Sequence, residues 1–135
     1  MIAEELALYL QSKGKGTQNK DLFVDFQPDE PNDCITVYDE STSVPSESQA
    51  LSVDEFGAQI LIRNTNNAAA RDKAMAIHKL LVGYGGLPFV EGGEDISVVY
   101  IETPPTTIGK DDKGRSEWSS HYRVRVVSKG DEYRL

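Results

Sequence analysis

The sequence predicts an α+β fold: a mostly antiparallel or mixed sheet of about five strands with two helices packed on one face, in the order α-β-β-β-α-β-β. Three observations carry that prediction. Residues 2–13 and 67–83 repeat apolar side chains at helical spacing, whereas five other segments alternate with a period of two. The last alternating segment is apolar on one side and basic or polar on the other, as in a sheet with a single buried face. At 135 residues, 39% hydrophobic and 27% charged, the chain can bury a real core, and we read residues 1–135 as one domain.

In the first helix Ile2, Leu6, Tyr9 and Leu10 share a stripe, and Gly14 and Gly16 supply its stop. "DLFVDFQP" follows as a strand, with Leu22, Val24 and Phe26 opposite Phe23 and Asp25, ended by Pro28. The proline-bearing "PDEPND" reads as a turn into "CITVYDE", where Ile35 and Val37 oppose Cys34, Thr36 and Tyr38. The short separation predicts that these two strands pair antiparallel. Residues 40–54, rich in serine and without a period, predict a long exposed loop.

"FGAQILIRN" is the third strand. Asn66 or Asn67 can cap the second helix, in which Ala70, Ala74, Ile77 and Leu81 form the apolar stripe and Gly83 or the Gly85-Gly86 pair marks the end. The glycine-rich "GGLPFVEGGED" has no pattern that fixes its course. Two strands close the chain. Ile96, Val98, Tyr100 and Glu102 alternate in the first, and Trp118, Ser120, Tyr122, Val124 and Val126 oppose Ser119, His121, Arg123, Arg125 and Val127 in the second. Between them lies a second exposed segment, 104–117, whose "DDKGR" reads as a hairpin turn with an Asp capping backbone N–H groups and Gly114 at positive φ.

Charge and residue types narrow the function. A net charge of −8 disfavours nucleic acid and anionic membranes as partners. The single cysteine, Cys34, excludes an intrachain disulfide or a thiolate zinc cluster within one chain, and its apolar neighbours read it as a small buried hydrophobe. The opening residues carry Glu4 and Glu5 and lack a secretory leader pattern, and no apolar run approaches the ~20 residues of a membrane span. Synthesis in a cytoplasm is the expectation.

Nucleophilic catalysis is not encoded in any pattern: Cys34, His78 and His121 lie on three separate elements, and no Gly-x-Ser-x-Gly turn occurs. His78 has no histidine or acid at i+3 or i+4 and reads as structural. "GKGT" follows a helix, where a phosphate loop would precede one. Asp111 and Asp112 are adjacent, whereas a calcium loop needs alternate acids, and Lys110, Lys113 and Arg115 neutralise them. The expectation is a protein without catalytic residues, cofactor or metal, whose exposed segments are held by neighbouring subunits.

The run "LALYLQSKGKGTQNKDLFVDFQPDEPNDCITVYDE", the middle "QILIRNTNNAAARDKAMAIHKLL" and the end "TPPTTIGKDDKGRSEWSSHYRV" together resemble the small minor capsid or tail-terminator (head-tail joining) proteins of tailed bacteriophages. The resemblance covers nearly the whole chain and rests on the order of its parts. It implies a virion protein of the neck or tail, made in the bacterial cytoplasm, that caps the tail tube and meets the head connector, as a homo-oligomeric six-membered ring. In such a ring Arg115, Arg123 and Arg125 are expected to meet Asp39, Glu40, Asp111 or Asp112 across a subunit or partner contact, with Gly114 shaping the tip. Two other classes stay open: a small monomeric adaptor, and a metal-dependent enzyme using Asp111, Asp112 and His121.

Overall fold

The computed structural model describes residues 2–45 and 53–127, the side chains of 41–45 and 53–54 excepted. The elements are α1 (Ile2–Ser12), β1 (Leu22–Val24), β2 (Cys34–Pro45), β3 (Val53–Asn64), α2 (Asn67–Leu81), β4 (Asp95–Lys110) and β5 (Ser116–Val127). They form a mixed sheet in the order β1-β2-β3-β5-β4, with every neighbouring pair antiparallel except β1 and β2. The predicted class and element order are those observed.

One buried cluster joins Leu6 and Leu10 of α1, Ala70, Ala74, Ile77 and Leu81 of α2, and Ile35, Val37, Ile60, Ile62, Tyr122 and Val124 of the sheet. Both helices therefore cover one face, and burial of this apolar stripe is what holds them there. Asn66 is the cap of α2, its Oδ1 accepting from Ala69 N at 2.9 Å, and Gly83 follows the helix at φ 77°. His78 has a structural partner in this layer, with its Nδ1 2.9 Å from the buried Tyr122 hydroxyl. Burial lowers the His78 pKa and favours the neutral ring.

Three expectations need correction. First, β1 and β2 run parallel, with Leu22 opposite Ile35 and Val24 opposite Val37. Asp25, at φ 66°, turns the chain out of β1 directly after Val24, and its Oδ1 accepts Asp39 N at 2.8 Å. The 25–33 loop then carries the chain back over the sheet, so β2 starts at the same end as β1. Second, Phe26, read as a strand residue, stands in this loop and is 57% exposed. Third, the predicted loop 40–54 is largely strand: β2 runs on to Pro45, with a register shift between Glu40 and Val44, and β3 begins at Val53. The rest of that loop, 46–52, lies outside the described residues.

The glycine-rich segment after α2 has a definite course. Tyr84 stacks on the buried Phe89 with centroids 4.9 Å apart, and Tyr9 of α1 meets Phe89 at 5.3 Å. Residues 83–86 cap the outer edge of β4: Gly83 N donates to Val99 O at 3.0 Å, Val99 N to Tyr84 O at 2.7 Å, and Gly86 N to Ile96 O at 2.8 Å. Glycine is required at 85, where a Cβ would lie 2.2 Å from Ser97 O. No helix among the described residues is long and apolar enough to cross a membrane.

Candidate assembly surface

The sheet face turned away from the helices is polar, and two buried arginines organise it. Arg63, the residue before the last in β3, pairs opposite Cys34 and is 2% exposed. Its Nε donates to Asn32 O at 3.1 Å, and its Nη2 reaches Pro28 O at 2.7 Å, Pro31 O at 2.6 Å and Asp29 O at 3.3 Å. The 25–33 loop contains two prolines, which have no N–H to offer, and it wraps its carbonyls around a guanidinium that supplies donors only. A loop that would otherwise present unpaired acceptors to the sheet is thereby satisfied.

Arg115, 5% exposed, ties the same loop to the hairpin tip. Its Nη1 donates to Asp29 O at 2.6 Å and Asn32 Oδ1 at 3.2 Å, its Nη2 to Asp29 Oδ1 at 3.1 Å, and its Nε to Asp111 Oδ2 at 2.8 Å. Lys113 adds an ion pair to Asp29. The tip itself is the turn the sequence describes: Asp111 Oδ1 accepts from the N–H groups of Lys113 at 3.0 Å and Arg115 at 2.9 Å, and Gly114 takes φ 78°. The hydrogen bonds of Lys113 and then Arg115 hold the Asp29 pKa below the usual carboxylate range. Burial alone would raise that of Asp111, but the Arg115 N–H and guanidinium and the Lys113 N–H outweigh it, and its net shift is downward.

Along β5 a ladder of pairs crosses the open face. His121 Nδ1 lies 2.9 Å from Glu40 Oε2, Arg123 Nη2 3.5 Å from Glu102 Oε2, and Arg125 Nη2 2.8 Å from Glu55 Oε2, which also accepts the Tyr100 hydroxyl at 2.6 Å. The Tyr100 hydroxyl and then Arg125 lower the Glu55 pKa. Burial first, and then Asp25, raise that of Asp39. Past Val99 no backbone hydrogen bond caps the outer edge of β4 among the described residues, and β4 and β5 continue as a two-stranded arm to Lys110 and Ser116.

The sequence-nominated residues thus fall in two groups. Arg115, Asp111 and Gly114 build the tip, and Arg123, Arg125 and Glu40 belong to the ladder, so each of the three arginines already has an acid in its own chain. Asp112 is exposed and Asp39 half-buried. For the metal-enzyme alternative, Asp111 faces Arg115 and His121 faces Glu40, and no group of three or more potential ligands among the described residues could hold a metal ion. Arg63 and Asp29 were missed. The available signal was an arginine closing an apolar strand beside a loop with two prolines.

A chain in the "Virion of native gene transfer agent (GTA) particle" has the same fold, with a TM-score of 0.61 over 94% of this chain and 92% of that one. At 12% identity the likeness is one of fold, and it sets the class: a small α+β subunit like one found in that particle. The family model described as bacteriophage tail terminator protein matches residues 9–128, and the chain belongs to that family. It is accordingly a structural protein of a phage-type tail. A search of curated proteins found no match.

Proposed function

We propose that the protein terminates the tail tube and joins the tail to the head connector, acting as a six-membered ring of identical subunits and without enzymatic activity. The match of the tail terminator family to residues 9–128 carries this reading. The fold is consistent with it. An arm rooted by the Arg115 and Asp29 contacts is stiff enough to present Lys110 and Asp112 to a neighbour or an axial partner. The paired ladder leaves the arginines of β5 neutralised by acids of their own chain. Synthesis in the host cytoplasm followed by incorporation at the neck fits a chain of net charge −8 that stays soluble before assembly.

The experiment is genetic. A phage that lacks this gene is expected to produce heads and tail tubes that do not join, with tubes of uncontrolled length in electron micrographs, and supplying the wild-type chain from a plasmid restores joined particles. Joined particles with tails of normal length in its absence would show that the protein does something else.

A further inference from the structure

Pairing inside the chain leaves a particular remainder of charge. Of the cations of the open face and tip, Lys113, Arg115, Arg123 and Arg125 each face an acid of the same chain, Arg63 is taken up by loop carbonyls, and Lys110 makes no ion pair among the described residues. Lys13, Lys15, Lys20 and Lys73 make no ion pair among the described residues, and they gather at one place on the helix layer. Lys13 and Lys15 follow the last turn of α1. Gln18 N donates to Gln11 Oε1 at 2.7 Å and ties the turn bearing Lys20 to that helix, and Lys73 Nζ reaches Lys15 O at 3.4 Å.

The opposite layer has the reverse excess. Residues 25–40 contain Asp25, Asp29, Glu30, Asp33, Asp39 and Glu40 without a single lysine or arginine. Arg63 and Arg115 hold the 25–33 loop against the open face, and Phe26 protrudes among these acids, 57% exposed, its ring centroid 5.7 Å from that of Phe23. An exposed aromatic ring rimmed by acids suits a basic partner surface with some apolar area. The helix layer of a second copy offers both, since Leu8 on α1 is itself exposed.

We propose that the acidic 25–33 loop of one copy, with Phe26 at its centre, docks on the lysine-bearing end of α1 of a second copy. The proposal rests on the ring reading above, because a contact between opposite layers of identical subunits is head-to-tail and closes into a ring when its rotation divides a full turn. Phe26 supplies buried apolar area, while the charges set register and encounter rate.

The test uses two charge-reversed variants at exposed side chains: Glu30→Lys, and Lys13→Glu with Lys20→Glu. Each alone opposes like charges at every contact. Together they alternate around an even-numbered ring with opposite charges facing at each contact. Circular dichroism and thermal melting establish that both fold. In cells infected by phage lacking the gene, wild type and the co-expressed pair are expected to restore plaques, and either variant alone to give at least about a tenfold loss. Wild-type plaque numbers with either variant alone, or none from the co-expressed pair, overturn the contact. If phage lacking the gene forms plaques with no chain supplied, tail termination is what fails. Sedimentation of the purified mixture then decides the contact: the mixture sedimenting faster than either component supports it, and equal rates overturn it.

Discussion

Arg63 shows how much one side chain can organise. It is buried without a carboxylate partner among the described residues, and the loop carbonyls around it take the place of water. Arg63→Met keeps much of the apolar stem and removes every donor, so several buried carbonyls lose their partner. We expect a loss of about 3 kcal/mol, measured by urea denaturation, with the 25–33 loop released from the sheet. Acid should act on the neighbouring contacts. Asp29 and Asp111 both have lowered pKa values in the fold. Their contribution is therefore complete above the unfolded carboxylate value of about 3.9 and is lost as pH falls through the lowered folded values. The Arg115 Nε–H resonance should move toward its solvent-exposed position over that acidic window, and Asp111→Asn should remove much of the change. At this scale the tip was legible, because Asp-x-x-Gly-Arg chemistry is local. The arginine contacts with the loop were not, since Arg115 and Asp29 are 86 residues apart and neither has a periodicity that points to the other.

At the scale of elements, side-chain period identified both helices and all five strands, and it named the buried face of α2 correctly, since Ala70, Ala74, Ile77 and Leu81 all face the core; in β4 it grouped Ile96 with Val98 and Tyr100, and the register shift after Ile96 buries Val99 instead. Direction was harder. Alternation says which side chains share a face, and is silent on the end from which a chain re-enters the sheet. The positive φ of Asp25 decided that for β1 and β2. The 83–86 segment was unreadable for a related reason, since its contribution is backbone hydrogen bonding by residues that include three glycines. Two outcomes follow. Gly85→Ala places a methyl group against Ser97 O and should destabilise the fold by about 2 kcal/mol, seen as a lowered melting temperature with faster amide exchange at Val99. Tyr122→Phe removes the hydrogen bond to His78 and should cost about 1 kcal/mol.

For the whole molecule, the split between a helix layer with unpaired lysines and an open face with acids is the property that relates the fold to assembly. A net charge of −8 conceals it, because the sum over the chain hides the lysine-only stretch 13–20 beside the acid-only stretch 21–40. The sequence order alone suffices to see that segregation, but only the fold places the acids of the 25–33 loop on the open face, away from the lysines at the end of α1, and shows which cations already have partners. The central claim is termination of the tail at the head junction. Gold-labelled antibody against this chain, imaged on intact virions and on tails detached from their heads, tests it most directly. Label confined to the head-proximal end of the tail is the predicted result, and label along the tube, at the distal tip or on the capsid shell would contradict it.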